Sequence, residues 1–93
     1  MFINATKLLA KYTVRERTAL NLLILEQKFR TNIENGTEII INRDDLASMV
    51  GTAKESVVRM LKDFKDEELI STNGRSIFIN NKKGLVKILG FKY

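Results

Sequence analysis

A chain of 93 residues with 44% hydrophobic content supports one small domain with an adequate core, and no second domain is expected. It contains neither cysteine nor histidine, which removes disulfides, thiolate zinc sites, a thiol nucleophile and the commonest general base, so no enzymatic activity, metal or cofactor is expected. Net charge +5 suits a polyanionic partner, while the absence of a membrane-length apolar run or a signal-peptide pattern gives the expectation of a cytoplasmic protein with no membrane partner.

Along the chain, residues 2–12 (FINATKLLAKY) are followed by Thr13-Val14-Arg15-Glu16, a capping box that predicts a helix from near Val14 to about Phe29. Its buried face would hold Ala19, Leu22 and Leu23, with Leu25 or Phe29 beside them. The polar interval 30–38, containing Asn35-Gly36, reads as a loop into a short strand at residues 39–41. Asn42 then caps another helix with Asp45 at the third position, where acidic residues suit the helix dipole. Leu46, Ala47 and Val50 share one face of it, with small Ala47 where a second helix must approach closely. Gly51 supplies the positive-φ stop.

Thr52-Ala53-Lys54-Glu55 reads as a second capping box, predicting a helix from about Ala53. Val57, Met60, Leu61 and Phe64, at i, i+3, i+4 and i+7, form its inward face and leave Lys54, Glu55, Val58 and Arg59 pointing outward near its start. Leu69-Ile70 and Ile77-Phe78-Ile79 read as strands around a tight turn, with Asn73-Gly74 a favoured hairpin dipeptide. Asn81 would cap a last helix over Lys82–Leu89, stopped by Gly90. Two helices joined at a glycine and followed by a hairpin predict an α+β fold: a winged helix-turn-helix, with a helical core, a small antiparallel sheet and a wing hairpin.

The run Asn42-Arg43-Asp44-Asp45-Leu46-Ala47-x-x-Val50-Gly51-x-x-Lys54-Glu55-Ser56-Val57-x-Arg59-x-Leu61-Lys62, continuing through Leu69-Ile70 to Asn73-Gly74-Arg75, resembles the DNA-binding domain of the Crp/Fnr family of bacterial transcription regulators. Upstream, Arg17-x-Ala19-x-x-Leu22-Leu23 resembles the first helix of that domain, so the likeness covers about residues 13–80. Family members place an effector domain and a long dimerisation helix ahead of this module. The resemblance therefore implies that residues 1–12 are a remnant of the dimerisation helix, or a separate N-terminal helix, and that residues 13–93 are the winged-helix domain. It further implies sequence-specific binding of double-stranded DNA by a module without its effector domain, as a weak homodimer or a dimer assembled on a palindromic site, with RNA polymerase open as a further partner.

The residue types fit that chemistry. Arg and Lys donate to guanine O6 and N7, and Glu accepts from cytosine N4; the resemblance assigns base reading to Glu55 and Arg59, supported by Lys54. Val58 stands where a small or polar residue is frequent, and either meets a thymine methyl or covers the helix side. Arg43, Ala53 through its N–H, Ser56, Asn73 and Arg75 match the family positions that contact phosphate. Other readings remain: Lys54 as a solvated surface lysine, and Arg59 as the ion-pair partner of Asp63 or Glu55.

Charge is unevenly spread, at +2 over residues 1–42, −2 over 43–74 and +5 over 75–93. The acidic residues Asp63, Asp66, Glu67 and Glu68 gather at the far end of the second reading helix, as a solvated helix end. Lys82, Lys83, Lys87 and Lys92 either add diffuse attraction to a polyanion or simply solubilise the surface. The competing function is a winged helix that docks protein, which calls for an exposed apolar patch. The candidates for one are Phe2, Ile3, Leu8, Leu9 and Tyr12.

Overall fold

In the computed structural model, residues 12–30 and 37–90 are described; residues 2–11, in the segment expected to be a dimerisation-helix remnant, lie outside that range. The first helix, α1 (Val14–Phe29), is closed by the reciprocal bonds its sequence predicts: Glu16 N–H donates to Thr13 Oγ1 at 3.1 Å and Thr13 N–H to Glu16 Oε1 at 2.8 Å. Two of the helix's orphan donors are thereby satisfied at once. Ala19, Leu22, Leu23 and Leu25 are buried, and Phe29 is partly buried.

Strand β1 (Glu38–Ile40) leads to α2 (Arg43–Val50), where Asp45 N–H donates to Asn42 Oδ1 at 2.7 Å. Leu46, Ala47 and Val50 face inward. Gly51 ends the helix at φ 82°, ψ 43°, a left-handed conformation that only glycine adopts without steric cost.

Helix α3 (Lys54–Asp66) departs from the sequence reading at its start. Its N-cap is Ala53, which has no side-chain cap, and the Thr52 capping box does not form. The reason lies in the turn before it. Gly51 N–H and Thr52 N–H both donate to Ala47 O, at 2.8 and 3.1 Å, so Thr52 is committed to closing α2 and the chain needs one more extended residue before it can turn helical. Val57, Leu61 and Phe64 are buried as expected, whereas Met60 is only partly so.

The hairpin β2 (Ile70–Asn73) and β3 (Ser76–Ile79) pairs Asn73 with Ser76, so Gly74 and Arg75 are its central turn residues. The expected dipeptide is thus offset by one: Gly74 alone takes positive φ, 62°, which is the pattern of a type II′ turn. β3 lies between β1 and β2 in an antiparallel sheet, with Ile39 opposite Ile77 and Thr72 opposite Ile77. Ile39, Ile70 and Ile77 send their side chains into the core. Helix α4 (Lys82–Leu89), capped by Asn81 and ended by Gly90, packs on α1 through Leu85 and Leu89.

Polar contacts join these elements. Glu26 is buried between α1 and α4, where it pairs with Arg30 at 2.9 Å and Lys82 at 3.5 Å. Arg17 reaches from α1 to Val50 O at 3.0 Å and Tyr12 O at 2.9 Å, satisfying a carbonyl at the end of α2 that has no partner within the helix.

Candidate nucleic-acid interface

With Val57, Leu61 and Phe64 fixed in the core, the 3.6-residue period dictates what α3 presents to solvent. Lys54, Glu55, Val58, Arg59 and Lys62 line one open concavity. Lys54, Glu55, Val58 and Arg59 are all exposed, Val58 at 46%. The structure therefore places the three residues expected to read bases on one face, at the N-terminal end of a helix whose opposite face is anchored.

Their electrostatic surroundings differ. Lys54 Nζ lies 3.7 Å from Asp44 Oδ1 on α2, a loose pair between two exposed side chains. Neither Asp63 nor Glu55 pairs with Arg59, and among the described residues Arg59 belongs to no salt bridge. Asp66, at the acidic end of α3, is about 18 Å from Lys54 and about 10 Å from Arg59 along the helix at 1.5 Å per residue, and that end is partly neutralised. Lys62 meets Asp66 at 3.1 Å, and Arg15 meets Glu67 at 2.7 Å while stacking over the Phe64 ring at 5.1 Å. The Arg15 hydrogen bond holds the Glu67 carboxyl below the usual glutamate range and raises Arg15 in turn.

The residues expected to touch phosphate fall into two groups. Ala53 and Ser56 lie at the uncapped start of α3, the first exposed and the second half-buried. Asn73 and Arg75 are exposed at the wing tip. Arg43, on α2, belongs with the wing group, since its half-buried guanidinium donates to Gly74 O at 3.1 Å and, at 3.4 Å, to Ile41 O. Ile41 N–H also donates to Arg75 O at 3.1 Å, so the wing turn is tied to the segment that enters α2. Sequence reasoning missed this link, as well as the Arg17 strut, because a side chain reaching a carbonyl 31 or 33 residues away leaves no local pattern. Also missed was a pair of exposed apolar residues, Ile40 and Phe78, which are diagonal neighbours on the outer face of the sheet.

Among the described residues no helix is long and apolar enough to cross a membrane, and no group of acidic residues could hold a metal ion.

Comparison with known proteins extends this geometry. Residues 16–88 match the model of the Crp-like helix-turn-helix domain. The chain is 36% identical over 72 residues to the cAMP-activated global transcriptional regulator CRP of Salmonella typhimurium, covering 76% of this chain and 34% of that one. It is 31% identical over 85 residues to the transcriptional activator protein Anr of Pseudomonas protegens, covering 89% and 35%. The chain thus spans about a third of the length of these relatives. Among solved structures it is similar to TTHA1359, a CRP/FNR-family transcriptional regulator of Thermus thermophilus, with a TM-score of 0.83 at 24% identity over 98% of this chain and 47% of that one. The CRP-family regulator TTHB099 of the same organism gives a TM-score of 0.80 at 24% identity, over 91% and 44%. The helices, the three-stranded sheet and the matched residues agree: this chain belongs to the Crp-like helix-turn-helix domain family.

Proposed function

We propose that this chain is the DNA-binding portion of a transcription regulator, reading duplex sequence with the first turns of α3 and holding the backbone with the wing. The observation that carries the reading is the exposure of Lys54, Glu55, Val58 and Arg59 together on the face of α3 opposite its buried anchor. An α-helix fits the major groove of B-DNA, where each base pair shows a distinct donor and acceptor pattern. Arg59, unpaired with any carboxylate among the described residues, supplies a planar fork for guanine; Glu55 accepts from cytosine; Lys54 exchanges its loose contact with Asp44 for a base or phosphate; Val58 meets a thymine methyl. Ala53 N–H, Ser56, Asn73, Arg75 and the remaining N–H groups of Arg43 contact phosphates and set the register. Two copies meet on a palindromic site with half-sites about one helical turn apart.

Titration of a labelled random-sequence duplex at stepped salt concentrations tests the reading. The expected result is binding whose log K falls linearly with log salt, by about 0.9 per neutralised phosphate. Failure to bind at low salt would overturn it. A second reading, a winged helix that docks protein, draws support from Ile40 and Phe78 on the sheet face, which no element covers among the described residues. Replacing both with aspartate leaves duplex binding intact under the first reading.

A further inference from the structure

We infer that Arg43 is the positioning residue of the wing, holding the Gly74–Arg75 turn at a fixed place relative to α3; this deepens the DNA-binding reading and rests on it. Arg43 is the first residue of α2, the helix whose Gly51 turn leads directly into α3. From there its guanidinium donates to Gly74 O at 3.1 Å and Ile41 O at 3.4 Å. The two acceptors flank the wing attachment, where Ile41 N–H donates to Arg75 O. One planar fork thus ties the wing tip to the β1 exit and to the start of α2, the helix that leads through Gly51 into α3.

The wing tip needs such a brace. Beyond the Asn73 and Ser76 pair only Gly74 and Arg75 remain, both exposed, with Gly74 free to adopt conformations closed to other residues. Strand pairing fixes the stem, while the direction of Arg75 depends on the Gly74 peptide. Holding that peptide's carbonyl sets where Arg75 arrives, so the phosphate contact of the wing and the base contacts of α3 are made in one register and not independently. Lysine retains the charge but offers a single ammonium on a flexible stem, which does not reproduce a two-carbonyl fork.

Two measurements on Arg43→Lys and Arg43→Ala, with folding checked by circular dichroism, decide the point. Without DNA, amide exchange of Ile41 should accelerate in both variants while α1 amides keep their wild-type rates. On a duplex, Arg43→Lys should weaken binding nearly as much as Arg43→Ala. Its effect should be non-additive with Arg75→Ala by at least about threefold, as for residues acting through one network. Unchanged Ile41 exchange would overturn the brace. So would an Arg43→Lys variant that binds like wild type and is additive with Arg75→Ala within about twofold, since Arg43 would then be a plain phosphate ligand. If Ile41 exchange responds but the wild-type chain binds no duplex, the DNA reading falls while the brace itself stands.

Discussion

A guanidinium with no carboxylate partner is an available donor pair, and among the described residues Arg59 has none, exposed one turn beyond Glu55 on the face of α3 opposite Leu61 and Phe64. Arg59→Ala should therefore cost about 1–3 kcal/mol on the best duplex and relax preference at one base pair, with a smaller change on random duplex. Competition binding against duplexes varied one position at a time measures both effects; an unchanged preference would show that Arg59 reads no base. Arg75 sits in a different environment, exposed at the wing tip and off the reading helix. Its replacement by alanine should lower the slope of log K against log salt by roughly one unit and weaken all sequences alike. A loss confined to one sequence would assign Arg75 to base reading.

The elements were legible wherever a local rule fixes them. Thr13, Asn42 and Asn81 announce helix starts by side-chain capping, Gly51 and Gly90 announce stops, and period 3.6 places Val57, Leu61 and Phe64 inward. What escaped was competition between neighbouring rules. Thr52 satisfies the capping-box pattern, yet its N–H is taken by Ala47 O, and Asn73-Gly74 matches a hairpin dipeptide whose register the sheet shifts by one residue. The far end of α3 carries two features open to test. Glu68 holds φ at 63°, a left-handed conformation costing an L-residue roughly 1–2 kcal/mol, part of which Gly gives back in chain entropy. Glu68→Gly should stabilise the domain by up to about 1 kcal/mol, read as a rise of about 4–8 °C in Tm per kcal/mol; a fall in Tm would show that the Glu68 side chain matters more than its backbone. Just before it, the Arg15 hydrogen bond depresses the Glu67 pKa. A depressed carboxyl contributes stability above its unfolded pKa and loses it as pH falls through the folded value. The pair is nearly half exposed on the Glu67 side, which limits it to about 1 kcal/mol or less after screening. Urea unfolding of Glu67→Gln should show a deficit at neutral pH that closes as the pH falls below the glutamate range. A deficit that persists in acid would point to packing over Phe64 instead.

At the scale of the molecule, a basic chain gathers one cluster of its acidic residues, Asp63, Asp66, Glu67 and Glu68, toward the end of α3 away from the proposed polyanion contact. Asp66 and Glu67 are paired with Lys62 and Arg15 at one end of α3, while exposed Lys54, Arg59 and Arg75 remain at the other end and on the wing. The fold could be read from the sequence because caps, turns and apolar periodicity are local. The assembly of the interface could not, because Arg43 to Gly74 and Arg17 to Val50 are long-range contacts between a side chain and a backbone carbonyl. Under the proposed function, one face of α3, indexed by the wing, reads a specific duplex sequence. Selection of bound duplexes from a random pool, run in parallel with wild type and Arg59→Ala, tests it most directly. Wild type should enrich a two-fold symmetric motif with half-sites about 10 base pairs apart, and the variant should lose one symmetric pair of positions. A pool that stays random through the selection with wild type, or an identical motif from both proteins, would contradict it.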